Sequence, residues 1–205
     1  PSLQLGWLIS SEPWFKTGKG IQYLKLTAGA EKNGNDNLVD YYAARTYWES
    51  MQVTENTVGL YLKNIENSTI QWETTTKYNV GLEGSFLNNR LAFSADFYIR
   101  DTKDMLTSGV ALPSVYGADS PKMNSADLRT KGYELSLSWR DEFQLLRRPF
   151  TYSVTVTFND YVTDITKYDN PDRTFAKSYY EGMRWGEIWG YRIGGLFATD
   201  AEAAG

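Results

Sequence analysis

Residues 72–100 read WETTTKYNVGLEGSFLNNRLAFSADFYIR, and the second half of this stretch decides the fold class. Leu91, Phe93, Ala95, Phe97 and Ile99 fall on one side of an extended chain, and Ala92, Ser94, Asp96, Tyr98 and Arg100 fall on the other. A period of two with one apolar and one polar set is the pattern of a strand wetted on a single face. The apolar face must meet either a protein core or the hydrocarbon of a bilayer, and periodicity alone admits both.

Working outward, residues 76–86 repeat the pattern, with Tyr78, Val80, Leu82 and Phe86 opposed to Lys77, Asn79, Glu83 and Ser85. The link between the two runs is Leu87-Asn88-Asn89-Arg90, and paired Asn residues tolerate the positive φ of a tight turn. Residues 76–100 are therefore expected to form a hairpin. Further runs set Tyr133, Leu135, Leu137 and Trp139 against Glu134, Ser136, Ser138 and Arg140, and Tyr152, Val154, Val156 and Phe158 against Ser153, Thr155, Thr157 and Asn159. Leu24, Leu26, Ala28 and Ala30 alternate with Tyr23, Lys25, Thr27 and Gly29, after a shorter extended piece around Leu3 to Ile9. Six strands are expected, paired antiparallel. Short connections near 10–20, 87–90 and 141–149 alternate with long ones near 31–71, 101–130 and 162 onward. An up-and-down sheet puts all the short turns at one end and all the long loops at the other.

Composition removes many function classes. The chain has neither Cys nor His, which excludes disulfides, thiolate metal sites, Ser-His-Asp catalysis and a histidine base. Lys and Arg number 21 against 25 Asp and Glu with no cluster of either sign, so no nucleic-acid partner is expected. No run approaches the ~20 apolar residues of a membrane-spanning helix, but a barrel strand needs only about 9–11 residues. Carboxylate pairs such as Asp101 with Asp104 or Glu181 with Glu187 arise without catalytic purpose, and no enzymatic activity is expected. Asn33-Gly34-Asn35-Asp36-Asn37 has oxygen ligands but lacks the later Glu of a calcium loop, so a plain turn is expected. Asn67-Ser68-Thr69 fits a glycosylation acceptor pattern, a three-residue motif that carries little weight by itself. No cofactor is expected.

An ordered series of motifs carries more than the periodicity. Ile70-Gln71-Trp72-Glu73 through Gly81-Leu82-Glu83, then Phe86-Leu87-Asn88-Asn89-Arg90-Leu91, resembles the barrel strand and turn of SusC/RagA-type TonB-dependent outer-membrane transporters. Phe97-Tyr98, Asp101-Thr102-Lys103-Asp104-Met105-Leu106, Leu112-Pro113, Lys131-Gly132-Tyr133 through Trp139, Glu181-Gly182, Trp189-Gly190-Tyr191 and Gly195-Leu196-Phe197 follow in the same order. Gly6-Trp7 through Ser11-Glu12-Pro13-Trp14-Phe15-Lys16, followed by Leu24-Lys25-Leu26, resembles it too, and the match is weakest between Asp36 and Glu66.

The resemblance implies an all-β, antiparallel up-and-down meander, part of a transmembrane barrel with short periplasmic turns and long extracellular loops. Such transporters close a 22-stranded barrel around an N-terminal plug. They draw energy from TonB and are capped by a SusD-like surface lipoprotein. Residues 1–205 would then be about a quarter of a transporter, importing oligosaccharides or oligopeptides across the bacterial outer membrane. Plug and TonB contact would lie in a missing amino-terminal part. Leu91, Phe93, Phe97 and Ile99 would face lipid, and Trp7, Trp14, Phe15, Phe86 and Phe150 would form a periplasmic girdle. The long loops hold Tyr41, Tyr42, Tyr47, Trp48, Tyr116, Tyr179, Tyr180, Trp185 and Trp189. Such rings stack on ligands or dock a lid, and also pack loops together. Trp48, Tyr116 and Trp185 are the candidate ligand- or lid-facing residues. A soluble carbohydrate-binding β domain is the alternative.

Overall fold

The computed structural model describes every residue of the chain except 19, 37–42, 110, 111, 119, 175–178, 191, 196–198 and 200–205. The described residues form eight strands: β1 (Ser2–Leu8), β2 (Ile21–Asn35), β3 (Tyr47–Thr54), β4 (Thr57–Asn64), β5 (Glu73–Phe86), β6 (Leu91–Ser108), β7 (Lys122–Leu145) and β8 (Arg148–Lys167). Six of them make one antiparallel sheet in the order β1-β2-β5-β6-β7-β8, which is the expected meander. The other two pair as a hairpin of their own, inserted in the β2–β5 connection.

That hairpin replaces part of the long loop expected over 31–71, and three further local expectations change. Residues 141–149, expected to be a linker, are almost wholly strand: Phe143 pairs with Phe150 and Leu145 with Arg148, leaving a two-residue turn at Leu146-Arg147. Alternation had not stopped at Asp141, because Glu142 and Gln144 continue one face and Phe143 and Leu145 the other. Similarly, β6 and β7 run well into the 101–130 segment, so the connection between them shrinks to 109–121. Asn33-Gly34-Asn35, expected to turn, continues β2 opposite Thr75, Thr74 and Glu73, and Asn37 at the end of that stretch lies outside the described residues.

The cross-strand register lines up the apolar positions. Ala28, Val80, Phe97 and Tyr133 form one row, Leu26, Leu82, Ala95, Leu135 and Phe158 the next, and Leu24, Gly84, Phe93, Leu137 and Val156 the next. One residue of slip would turn any of these sets to the other face, so the agreement across five strands identifies the apolar side of the sheet. That side is open: Phe97 is 58%, Leu137 50% and Val156 61% exposed. Among the described residues the buried apolar side chains are Ala126, Ile165 and Met183, all at the long-loop end. A soluble sandwich of this size would bury such rows under a second layer. No described element supplies one, so nothing in the fold supports the soluble alternative.

The apolar band has charged limits. Arg90 pairs with Asp141 at 3.2 Å near the short turns, and Arg129 pairs with Asp101 at 2.6 Å toward the loops. From Arg90 to Asp101 is about 37 Å at ~3.4 Å per residue, or about 28 Å on a strand tilted by ~40°, close to the ~25 Å band of an outer-membrane barrel. Aromatic rings gather at the short-turn limit. Trp7 meets Trp14 (6.2 Å), Trp14 meets Phe15 (5.9 Å), Phe86 stacks on Phe93 (5.4 Å) and Phe143 meets Phe150 (5.3 Å). Trp139 joins them, donating its indole N–H to the Tyr152 hydroxyl at 3.2 Å.

Candidate functional site

Opposite the apolar rows, the sheet presents a continuous polar face. Its rows include Thr27, Gly81, Asp96, Glu134 and Asn159, and next to them Lys25, Glu83, Ser94, Ser136 and Thr157. Glycine has a steric purpose here. A Cβ on Gly81 would collide with the Asp96 carboxylate and the Thr27 hydroxyl, and one on Gly132 would collide with the Tyr98 ring. Tyr98 therefore lies across Gly132, with Tyr161 on the other side and the Lys77 ammonium 5.6 Å from its ring centre. Hydroxyl pairs Thr130–Thr163 (2.9 Å) and Ser138–Thr155 (2.8 Å) tie β7 to β8 on this face. The surface is lined with hydrogen-bonding groups of both charges, as a water-filled passage requires.

At the long-loop end, side chains clamp the connections to the strands. Asn124 on β7 accepts the Gln71 N–H (2.8 Å) and donates to the Gln71 and Asp104 carbonyls. Asn67 donates to the Lys122 carbonyl at 2.7 Å while its Oδ1 accepts from Thr69, so the acceptor-pattern Asn is a structural pin. Glu73, buried, accepts the Leu106 N–H at 3.0 Å.

After β8 the chain folds back and pairs with it. Ile165 donates its N–H to the Met183 carbonyl, Gly182 to the Ile165 carbonyl and Trp185 to the Thr163 carbonyl, each at 2.8 Å. Buried Asn170 organises the loop, donating to the Thr174 and Tyr179 carbonyls and accepting from Thr174. An aromatic cluster results: Tyr179 stacks on Trp185 (5.1 Å, 10°) and against Tyr168 (5.6 Å), and Tyr180 meets Trp189 (5.9 Å) with the Arg173 guanidinium 4.8 Å from its ring centre. The Tyr180 hydroxyl donates to Glu187 at 3.2 Å. Partial burial, reinforced by that carboxylate, pushes the Tyr180 hydroxyl above the usual phenol range, so it stays a donor.

The three candidate residues occupy three separate places. Trp48 lies on β3 opposite Leu62 and is 62% exposed; Tyr116 ends the 3-10 turn Ser114–Tyr116 and is 58% exposed; Trp185 is 52% exposed with one ring face on Tyr179. Among the described residues no ring contact or side-chain hydrogen bond joins any two of them. Tyr41 and Tyr42 lie outside the described residues. The carboxylate pairs are taken up structurally: Arg129 holds Asp101 through two bonds, at 2.6 and 2.9 Å, and Glu187 accepts from Tyr180 and from the Arg184 N–H. Sequence reading missed Arg173, Asn170 and the Tyr98–Gly132–Tyr161 crossing. Only the last left a signal, a Gly set between Lys131 and Tyr133 on the strand's polar side.

On the β3–β4 hairpin, Glu49 accepts from the Tyr61 hydroxyl at 2.5 Å and meets Lys63 at 3.3 Å. The hydrogen bond, then the ammonium, hold its carboxyl below the ordinary value.

Known proteins place this geometry. The family model described as "TonB dependent receptor-like, beta-barrel" matches residues 4–204. TonB-dependent receptor P39 of Formosa agariphila is 28% identical over 100% of the chain and 19% of its own length. TonB-dependent receptor SusC of Bacteroides thetaiotaomicron is 30% identical over 84% of the chain and 18% of its own length. The solved structure titled "Structure of the RagAB peptide transporter" aligns with a TM-score of 0.71 and 26% identity over 82% of the chain and 18% of the solved chain. The chain thus spans about a fifth of the relatives it matches. A six-stranded antiparallel sheet, apolar on one face and polar on the other, fits one part of such a barrel wall, and the chain belongs to the TonB-dependent receptor β-barrel family.

Proposed function

We propose that residues 1–205 form part of the barrel wall of a TonB-dependent importer in the bacterial outer membrane. The observation that carries this reading is the in-register apolar face, bounded by ion pairs at a bilayer-scale spacing and backed by a polar face. In hydrocarbon every backbone polar group must be paired, which a closed ring of strands achieves. The polar rows line the import path and the apolar rows meet lipid. The plug, the TonB contact and the remaining strands belong to other parts of the same protein. The imported molecule is an oligosaccharide or an oligopeptide; the related RagAB is a peptide transporter. The long-loop end, with Trp48, Tyr116 and Trp185, meets the ligand or a SusD-like lipoprotein lid.

Co-purification from native membranes in mild detergent tests the partner assignment, with a stoichiometric lipoprotein expected. A transporter recovered repeatedly without one removes the lid and leaves the barrel. Trp185→Ala in the full transporter is expected to slow uptake without lowering the inserted amount; unchanged uptake removes Trp185 from the ligand path.

A further inference from the structure

Charge is unevenly distributed over the polar face. Two rows set like charges directly opposite each other: Lys77 faces Arg100 between β5 and β6, and Asp96 faces Glu134 between β6 and β7. Like charges in register destabilise a sheet unless something else offsets them. Among the described residues, none of these side chains forms an ion pair. The Asp96 carboxylate lies over Gly81, on the side away from Glu134. On the far sides, Arg100 meets Thr130 and Glu134 meets Asn159, so the sheet brings neither an opposite charge. Lys77 has Glu31 in register across β2, but its ammonium is set over the Tyr98 ring at 5.6 Å. Nearer the short turns, Lys25 and Glu83 oppose each other and cancel.

The two like-charged pairs are separated by one uncharged row of Gly29, Asn79, Tyr98, Gly132 and Tyr161. It offers an amide and two rings, of which Tyr161 is 66% exposed. Arg100 and Asp96 stand four residues apart on β6, about 14 Å at ~3.4 Å per residue, which an extended peptide of about four residues also spans. The basic pair is nearer the long loops and the acidic pair nearer the short turns. Ionisable groups at membrane depth that face a water-filled cavity mark a solute pathway.

Resting on the reading of this face as the import path, we propose that these rows bind an oligopeptide and set its direction. Its carboxylate end meets Lys77 and Arg100, its backbone runs along Asn79 and Tyr98, and its ammonium end meets Asp96 and Glu134. The amino terminus therefore leads toward the periplasm. A neutral oligosaccharide would leave both like-charged pairs uncompensated. An anionic one would offset the basic pair and be repelled by the acidic pair. A peptide with free termini carries one charge of each sign, at the spacing of the rows.

The test uses the full-length transporter in mild detergent and a pool of tetrapeptides offered in three forms: free, amino-acetylated and carboxy-amidated. Retained peptide is counted by mass spectrometry. Blocking either terminus should lower retention about fivefold, the scale of a solvated ion pair. With Lys77→Gln and Arg100→Gln together, amidation should cease to matter while acetylation still does; with Asp96→Asn and Glu134→Gln together, the reverse should hold. Heat-modifiable gel mobility confirms folding of each variant, and the capped peptides probe the wild type without any substitution. Equal retention of the three forms by wild type overturns the site, as does a preference for free termini that survives in both variants. Variants that keep the wild-type preference but let urea release the plug earlier would assign the charges to the plug and overturn the site as well. A wild-type protein that stays soluble without detergent overturns the barrel reading itself, and the site with it.

Discussion

Leu137 and Ser136 are one peptide apart, and the register sends them to opposite sides of the sheet. In the full transporter, Leu137→Arg should cost about 2–4 kcal/mol if the site lies near the bilayer midplane, whereas Ser136→Arg on the polar side should cost far less. The inserted fraction, read from heat-modifiable mobility, is expected to fall for the first and hold for the second. Gly81 gives a second test on the polar side. Its missing Cβ leaves the space that Asp96 and Thr27 occupy, so Gly81→Val should destabilise by about 1–3 kcal/mol through overpacking. Denaturant melts showing Gly81→Val equal to wild type would mean that the strands part there at no cost. Gly20, with open space around its Cβ position, provides the control.

At the level of elements, the β7–β8 turn is built from ill-suited residues. Leu146 and Arg147 have φ of 50° and 67°, the left-handed pair of a type I′ turn, which favours Asn-Gly. Leu146→Asn with Arg147→Gly should therefore stabilise the hairpin by about 1–2 kcal/mol, from the penalty of αL backbone in ordinary residues. A thermal melt that moves down, or not at all, would show that Leu146 has a packing role that its outward exposure conceals. The β3–β4 hairpin makes a pH prediction. Because Glu49 is held below its ordinary value of 4.5 in the folded hairpin, its contribution is present above that value and is lost as pH falls through the depressed one. Amide exchange in residues 47–64 is expected to accelerate in that acidic window, and Glu49→Gln should remove the acid-dependent step.

For the whole molecule, the decisive quantity is which solvent each face meets. The chain contains no Cys, so within it a single introduced thiol is a unique label site. Labelled separately at 137 and 136 in the full transporter in bilayers, the probe should be quenched from the acyl region at 137 and by a water-soluble quencher at 136. Equal aqueous access at both positions would mean that this face never meets a membrane. Folding of an isolated 205-residue product to a monomer in detergent-free buffer would count against the barrel in the same way, because open strand edges and an uncovered apolar face favour aggregation.

Alternation alone determined that the chain is β and which side of each strand is apolar, since side chains in an extended backbone must alternate whatever surrounds them, and the short connections added that neighbouring strands run antiparallel. The 76–100 hairpin was legible because two Asn residues sit where positive φ is needed, and the structure shows φ of 58° and 60° at Asn88 and Asn89. The ends of β6, β7 and β8 were not legible. Glu142, Asp101 and Lys103 look like loop residues, and only pairing with a neighbouring strand holds them extended. The β3–β4 hairpin was missed because Glu49, Tyr61 and Lys63 acquire their meaning through one another, across a turn. Trp185 could be nominated from its type, but its stack on Tyr179 depends on residues 182–185 pairing with β8, a long-range backbone choice with no local sequence signal. The like-charged pairs Lys77–Arg100 and Asp96–Glu134 were likewise beyond the sequence. They exist because three strands bring these residues opposite one another, and register is a property of the assembled sheet.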